Sequence, residues 1–300
     1  MEDALDRSKL RFVDVGGIRT RYYEDGEGEP LVLIHGGHFG FVDSLDTWSL
    51  NLKGLARHFR VLALDRVGQG YTGSPTRDDD YTQDFTLRHV LQWLNVVGLE
   101  QAHLLGHSRG GLVAAQVALE RPGFAKSAVI VNSATLAPES DDPRFACGAV
   151  LESIGVGSHV GPWTRDELRV EPESDSFSHT HITAEYIDRY LEMVNLPSFR
   201  EAEAKMRDGL ANKLFKPNLN LARAEALRRV DERGMPCRTL LIWSFNDNLA
   251  PLREVGLRLY DRICAKTPVS DLYVFNQAGH YPYREHPLEF NRIVTAFCLS

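Results

Sequence analysis

Apolar and polar positions alternate twice near the start of the chain, in Leu10-Arg11-Phe12-Val13-Asp14-Val15 and in Ile18-Arg19-Thr20-Arg21-Tyr22-Tyr23, with Gly16-Gly17 between them. Two runs of period two joined by a glycine pair predict a β-hairpin with a tight turn. The pattern then changes to short, mostly apolar runs at 31–34, 61–64, 102–105, 128–131 and 239–243. Such runs suit strands buried on both faces. Between them apolar residues recur at helical intervals: Trp48, Leu52, Leu55 and Phe59, then Phe85, Val90, Leu91, Leu94 and Val97, then Leu112 to Leu119. The order β-β-β-α-β-α-β-α-β predicts an α/β fold, with a mostly parallel central sheet and helices on both faces.

Near residue 136 the texture changes. Ala137-Pro138-Glu139-Ser140-Asp141-Asp142-Pro143 is loop chemistry, and no strong strand follows until about 235. Helical spacing covers Ile182 to Asn195, Phe199 to Phe215 and Leu221 to Val230. Residues 137–235 therefore read as a helical lid inserted into a core of 1–136 and 236–300. The core resumes with the strand at 239–243, a helix through Leu252–Ile263, a strand at Leu272–Phe275 and a closing helix from Pro287 to Leu299.

Composition narrows the function classes. A net charge of −7 without any basic run argues against nucleic acid as a partner. No apolar stretch is long enough to span a bilayer, and the polar opening MEDALDRSKLRF lacks the apolar centre of a secretion signal. Cys147, Cys237, Cys264 and Cys298 have neither disulfide-framework nor metal-ligand spacing, so reduced thiols in the cytoplasm are expected, with no cofactor. The expected partner is a small-molecule substrate, with a homodimer left open.

The chemistry gathers at residues 102–120. The apolar run ending at Leu105 leads into Gly106-His107-Ser108-Arg109-Gly110-Gly111, and a small-residue helix follows until Arg121-Pro122-Gly123. A G-x-S-x-G sequence between a strand and a helix is a nucleophile elbow, with the serine lifted over a helix N-terminus. A serine hydroxyl needs a base, and the base needs an orienting acid. After an elbow the acid and then the histidine are expected further along the chain. Asp247 follows the strand 239–243, and His280 follows Gly279 beyond the strand 272–275. Two oxyanion donors are expected, the backbone amides of Arg109 and Gly37, the latter in the glycine-rich loop His35-Gly36-Gly37-His38-Phe39-Gly40. Other histidines read as structure: His35 supports its loop, His107 points away from the serine, and His286 opens the last helix. His179 and His181 alternate in a polar stretch without neighbouring thiols or carboxylates, so no metal site is expected.

With these motifs placed, the chain resembles the α/β-hydrolases from end to end. It is more particularly similar to the meta-cleavage-product hydrolases, which split a carbon–carbon bond in vinylogous 1,5-diketones formed by aromatic ring cleavage. The likeness rests on HGGHFG against that family's HGGGPG, on Trp243 to Pro251 against its W-G-x-x-D-x-x-x-P, and on Ile182-Thr183-Ala184-Glu185-Tyr186 in the insertion. It also rests on Gly279-His280-Tyr281 with Glu285-His286-Pro287 and Phe290-Asn291. The chain departs from the family in carrying His107 and Arg109 around the serine, where the family has asparagine or a small residue and methionine. The resemblance implies Ser108, Asp247 and His280 as catalytic residues, and substrate contacts from His38, Phe39, Leu249 and Tyr281. It further implies a lid arginine that holds a substrate carboxylate, at Arg189, with Arg165, Arg169 and Arg207 as alternatives. Ester or lactone hydrolysis by the same triad stands beside carbon–carbon cleavage, as does a hydrolase-like receptor with slow turnover.

Overall fold

The computed structural model describes residues 5–139 and 161–300. Eight strands form one sheet in the order β1-β2-β4-β3-β5-β6-β7-β8. They are β1 (Leu10–Val15), β2 (Ile18–Asp25), β3 (Pro30–Ile34), β4 (Arg60–Leu64), β5 (Ala102–His107), β6 (Ala125–Val131), β7 (Arg238–Ser244) and β8 (Ser270–Phe275). The hairpin sets Val15 opposite Ile18 across Gly16 and Gly17, whose φ angles of 62° and 86° are the left-handed values a tight hairpin turn needs. β2 runs antiparallel to β4, and every neighbour from β4 to β8 is parallel.

Side-chain alternation divides the core into two layers. Val32, Ile34, Leu62 and Leu64 join the cluster containing Trp93 and Val113, under helices α2 (Gln83–Val96) and α3 (Arg109–Glu120). Leu31, Leu33, Val61 and Ala63 join the opposite cluster, with Trp48, Phe59 and Phe290 beneath α1 (Ser49–Leu55) and the closing helix Pro287–Leu299. Both faces of these strands are buried, which explains their unbroken apolar sequence.

The segment between β6 and β7 contains no strand among the described residues. Its first described helix, Arg165–Ser174, was not expected, because it is polar and carries Pro172 inside. A capping box between Thr164 and Glu167 starts it, and Leu168 and Pro172 form its narrow buried stripe. Ala184–Val194 matches the expected spacing. The expected helix from Phe199 to Phe215 is divided into Pro197–Lys205 and a π-helical stretch Met206–Phe215, interrupted at Gly209 with φ 125°. The next helix is longer than its apolar stripe, Lys216–Arg233. The short helix Pro282–Glu285 also went unforeseen. The expected loop at Ala137–Pro143 lies, beyond Glu139, outside the described residues, as does Cys147.

Two glycines let this segment reach the carboxyl edge of the sheet. A Cβ on Gly40 would overlap the backbone of Ala202 and Glu203, and one on Gly279 would overlap Asp175, Ser176 and Phe177. Close backbone approach of this kind excludes any larger residue. Val42, Tyr186, Ile187, Tyr190 and Phe199 seal the contact as a third apolar cluster. No helix among the described residues is long and apolar enough to cross a membrane.

Candidate active site

The carboxyl ends of β3, β4, β5, β7 and β8 present His35–Gly40, Asp65, Ser108, Asp247 and His280 along one edge, where parallel sheets bind ligands. Ser108 joins β5 to α3 at φ 52° and ψ −122°, a conformation that disfavours a side chain. The surroundings impose it. Ser108 N donates to Val131 O at 2.9 Å, while Ser108 O accepts from Gly111 N at 2.9 Å and Ser133 Oγ at 2.6 Å. A Cβ on Gly106 would overlap the Gly110 carbonyl, and one on Gly110 would overlap the Ile34 carbonyl. The two motif glycines are thus required by close approach, although neither has positive φ.

Asp247 lies in the loop after β7. Its Oδ1 accepts from the amides of Leu249 and Ala250 at 2.8 and 2.9 Å, leaving Oδ2 to meet His280 Nδ1 at 2.7 Å. Trp243 braces the loop, its Nε1 donating to Ala250 O at 2.6 Å. With Nδ1–H held by the carboxylate, the other ring nitrogen of His280 is the one available as a base. The His280 main chain is equally fixed. Its amide donates to Asp175 O at 2.6 Å, and its carbonyl accepts from His107 Nε2 at 2.9 Å and Asn132 Nδ2 at 3.2 Å. Burial pushes the His280 pKa down, but the charge and hydrogen bond of Asp247, with Asp175 and Asp43, outweigh burial and leave it above the ordinary value.

The glycine-rich loop is set from below. Arg66 Nη2 donates to the carbonyls of Gly36 and, at 2.6 Å, Gly37; Gln69 Nε2 donates to Gly36 O at 3.2 Å. Across a trans peptide the carbonyl and amide point opposite ways, so Arg66 turns the Gly37 amide away from its guanidinium. The Arg109 amide belongs to the first turn of α3, where main-chain donors lack helical acceptors. The Arg109 side chain is buried over the Phe215 ring, 5.7 Å from its centroid. His35 supports the loop, accepting from Arg66 N at 3.1 Å. Asp65 is structural: it accepts from Arg21 Nε at 2.6 Å and from the amides of Leu45 and Tyr71 at 2.7 and 2.8 Å.

The residues expected to touch substrate separate into groups. His38 is buried, and burial together with the Arg109 charge pushes it down to about 3, so it is neutral. Phe39 packs inward, 4.9 Å from Tyr81 and 5.7 Å from Phe215 between ring centroids, which makes it core beneath the loop. Leu249 gives its backbone amide to Asp247. Tyr281 is buried and donates its hydroxyl to Glu171. Arg189 is not brought to His280. Its Nη2 donates to Ser49 Oγ at 3.1 Å, and it lines a cleft with Arg7, Arg21, Asp46, Tyr71 and Glu192. One residue along a helix is a rotation of about 100°, and Tyr190 takes the inward direction, bonding to Tyr186. Arg165 pairs with Asp188 and Arg169 with Glu173, both at 2.7 Å on the outside of the segment.

His107 Nδ1 faces Tyr283 Oη at 3.3 Å, and burial first, then the His280 charge, holds His107 far below the usual range. His286 stacks on Phe275 and meets Gln277 O at 2.9 Å. His181 meets Ser176 Oγ at 2.8 Å. Among the described residues no group of three His, Cys, Asp or Glu side chains could hold a metal ion.

Several residues that matter here were given no role from the sequence. Asn132, at φ 42° after β6, ties Ser244 to the carbonyls of Gly279 and His280. Glu285 accepts from the amides of Phe177, Ser178 and Gly279 at 3.0, 2.8 and 2.7 Å, joining insertion to histidine loop. Asp43 and Asp175 add carboxyl groups around His280, and Glu171 accepts from the neighbouring Tyr281 hydroxyl.

Fold and site together define a hydrolase of the α/β class. Residues 29–287 match the family model for the alpha/beta hydrolase fold, and the chain belongs to that family of enzymes. Within it the chain is similar to 2-hydroxymuconate semialdehyde hydrolase of Pseudomonas sp. strain CF600, with 30% identity over 96% of this chain and 93% of that one. It is also similar to 2-hydroxy-6-oxo-6-(2'-aminophenyl)hexa-2,4-dienoic acid hydrolase of Metapseudomonas resinovorans, with 28% identity over 96% and 90%. A solved meta-cleavage product hydrolase from Pseudomonas fluorescens IP01 superposes with a TM-score of 0.76, at 25% identity over 97% and 98%.

Proposed function

We propose that the protein hydrolyses a carbon–carbon bond in a meta-cleavage product of the 2-hydroxy-6-oxo-dienoate type, using Ser108, His280 and Asp247. The observation that carries this reading is similarity over 96% of the chain to hydrolases of such dienoates. The 2.7 Å contact between His280 Nδ1 and Asp247 Oδ2 supplies the oriented base it needs. His280 assists ketonisation of the dienol. The Ser108 hydroxyl, or a water in its place, then gives its proton to His280 and adds to the ketone carbon. The resulting oxyanion is stabilised by the amides of Gly37 and Arg109. Collapse breaks the carbon–carbon bond, the leaving carbanion takes the proton from His280, and on the serine route water releases the acyl group. The segment 137–235 acts as a lid over this chemistry, and a cytoplasmic setting is supported by the free thiols of Cys237, Cys264 and Cys298.

Ester or lactone hydrolysis by the same residues is the second reading. The engagement of Arg189 by Ser49, together with the carboxyl groups of Asp43 and Asp175 around His280, favours an uncharged substrate. A panel of a coloured ring-cleavage dienone against p-nitrophenyl esters separates the two. Carbon–carbon cleavage predicts kcat/KM larger for the dienone by orders of magnitude; the reverse ranking replaces it with ester hydrolysis.

A further inference from the structure

Asp43 and His38 lie on the loop that carries Gly37, and neither is used by the proposed chemistry. Both are buried at 4% exposure. Asp43 Oδ2 stands 3.1 Å from the position of a Cβ on Gly36, and Ser108 Cβ stands 3.0 Å from the same point. The carboxyl group therefore borders the nucleophile. Its other oxygen, Oδ1, has no hydrogen-bond partner among the described residues. His38 Nδ1 meets Phe39 O at 2.8 Å, so a neutral ring carries its proton there and leaves Nε2 as an acceptor. That nitrogen also has no partner among the described residues. His38 and Arg109 both pack against Phe215, 6.0 and 5.7 Å from its ring centroid, which brings the loop beside the first turn of the elbow helix.

Two buried acceptors without donors are costly unless a ligand supplies the missing protons. We infer that Asp43 and His38 form a recognition site for hydrogen-bond donors, so that the enzyme selects carbonyl compounds bearing a hydroxyl or amino group close to the carbonyl carbon attacked by Ser108. The site would read substrates by donor groups near the reacting carbon, and not through a distant arginine. Burial raises the Asp43 pKa to about 6 against the opposing charges of Arg66, His280 and Arg109, and where the group is ionised it is an anionic acceptor, the stronger kind.

The inference rests on Ser108 as the nucleophile, and its test is made independent of turnover. Binding of 2-hydroxyacetophenone and of acetophenone is measured by calorimetry on full-length Ser108→Ala protein. The expected result is at least about tenfold tighter binding of the hydroxylated ketone, the size of a hydrogen bond to a charged group. Asp43→Ala on that background should bring the two ligands within about twofold. Asp43→Asn, which keeps an acceptor oxygen and the volume, should retain an intermediate preference if the alanine variant fails to fold. Equal affinities in the Ser108→Ala protein, or a preference untouched by either Asp43 substitution, overturn the site. Failure of the nucleophile assignment shows separately, as turnover surviving in Ser108→Ala.

Discussion

At the sheet edge, Ser108, Asp247 and His280 are held largely by main-chain atoms: Val131 O and Gly111 N, the amides of Leu249 and Ala250, and Asp175 O. In the inserted segment the inward groups are held by other side chains. Tyr186 bonds to Tyr190, Arg189 to Ser49, and Glu171 to Tyr281. Main-chain positioning depends on where the backbone runs and not on which side chain the anchoring residue carries, as with Val131 O and Asp175 O. Side-chain positioning depends on partners more than a hundred residues distant, as for Arg189 and Ser49, and can be re-aimed by one helical step. The proposed reacting groups thus sit on the fixed region, and the insertion that covers them is the region open to adjustment.

The sharpest way to break this contrast is at the fixed edge. Ser108→Ala should lower turnover by about 10⁴-fold or more, with the thermal melt little changed. Asp247→Asn should lose about 10⁴-fold by presenting the wrong histidine tautomer, measured as kcat at saturating substrate. A loss below tenfold in either variant would remove the main-chain-held residues from the chemistry. Arg66→Met releases the carbonyls of Gly36 and Gly37 and should lower kcat by about 10²-fold, the size of one oxyanion donor, with KM changing less than kcat.

What the sequence made legible follows the same division. The central strands were readable because they bury both faces, the hairpin because its positions alternate, and the elbow because Gly106 and Gly110 can carry no side chain there. Asp247 and His280 were found from chain order and strand ends. Asp43, Asp175 and Asn132 were invisible, since nothing nearby in sequence says that a carboxylate or amide will be brought to His280 from another loop. Helix Arg165–Ser174 was hidden by its polarity and by Pro172, and the resemblance that pointed to Arg189 says nothing of the helical rotation that turns it to Ser49.

The insertion offers smaller effects. Gly279→Ala forces the histidine loop away from Asp175–Phe177; it should lower kcat/KM roughly tenfold and destabilise by about 1–3 kcal/mol, the scale of an overpacked contact, seen as a lower midpoint in denaturant. Unchanged kinetics would show that the contact with the insertion does not position His280. Because His280 must be neutral to accept a proton and its pKa is raised, kcat/KM should climb with pH through a midpoint above the ordinary histidine value. Asp175→Asn removes one of the charges, beside Asp247 and Asp43, that raise it, and should move that midpoint to lower pH. Arg189→Ala should leave KM for carboxylate-bearing dienones within about twofold while reducing stability by about 1 kcal/mol through the lost bond to Ser49. A large, selective rise in KM would return Arg189 to the substrate.

The central claim is that one hydroxyl on the sheet edge is activated by His280. Intact mass and peptide mapping after exposure to a serine-directed fluorophosphonate test it most directly. A single adduct on Ser108, strongly slowed in His280→Ala, is the predicted result. An adduct elsewhere, or labelling of Ser108 at the same rate without His280, would contradict it.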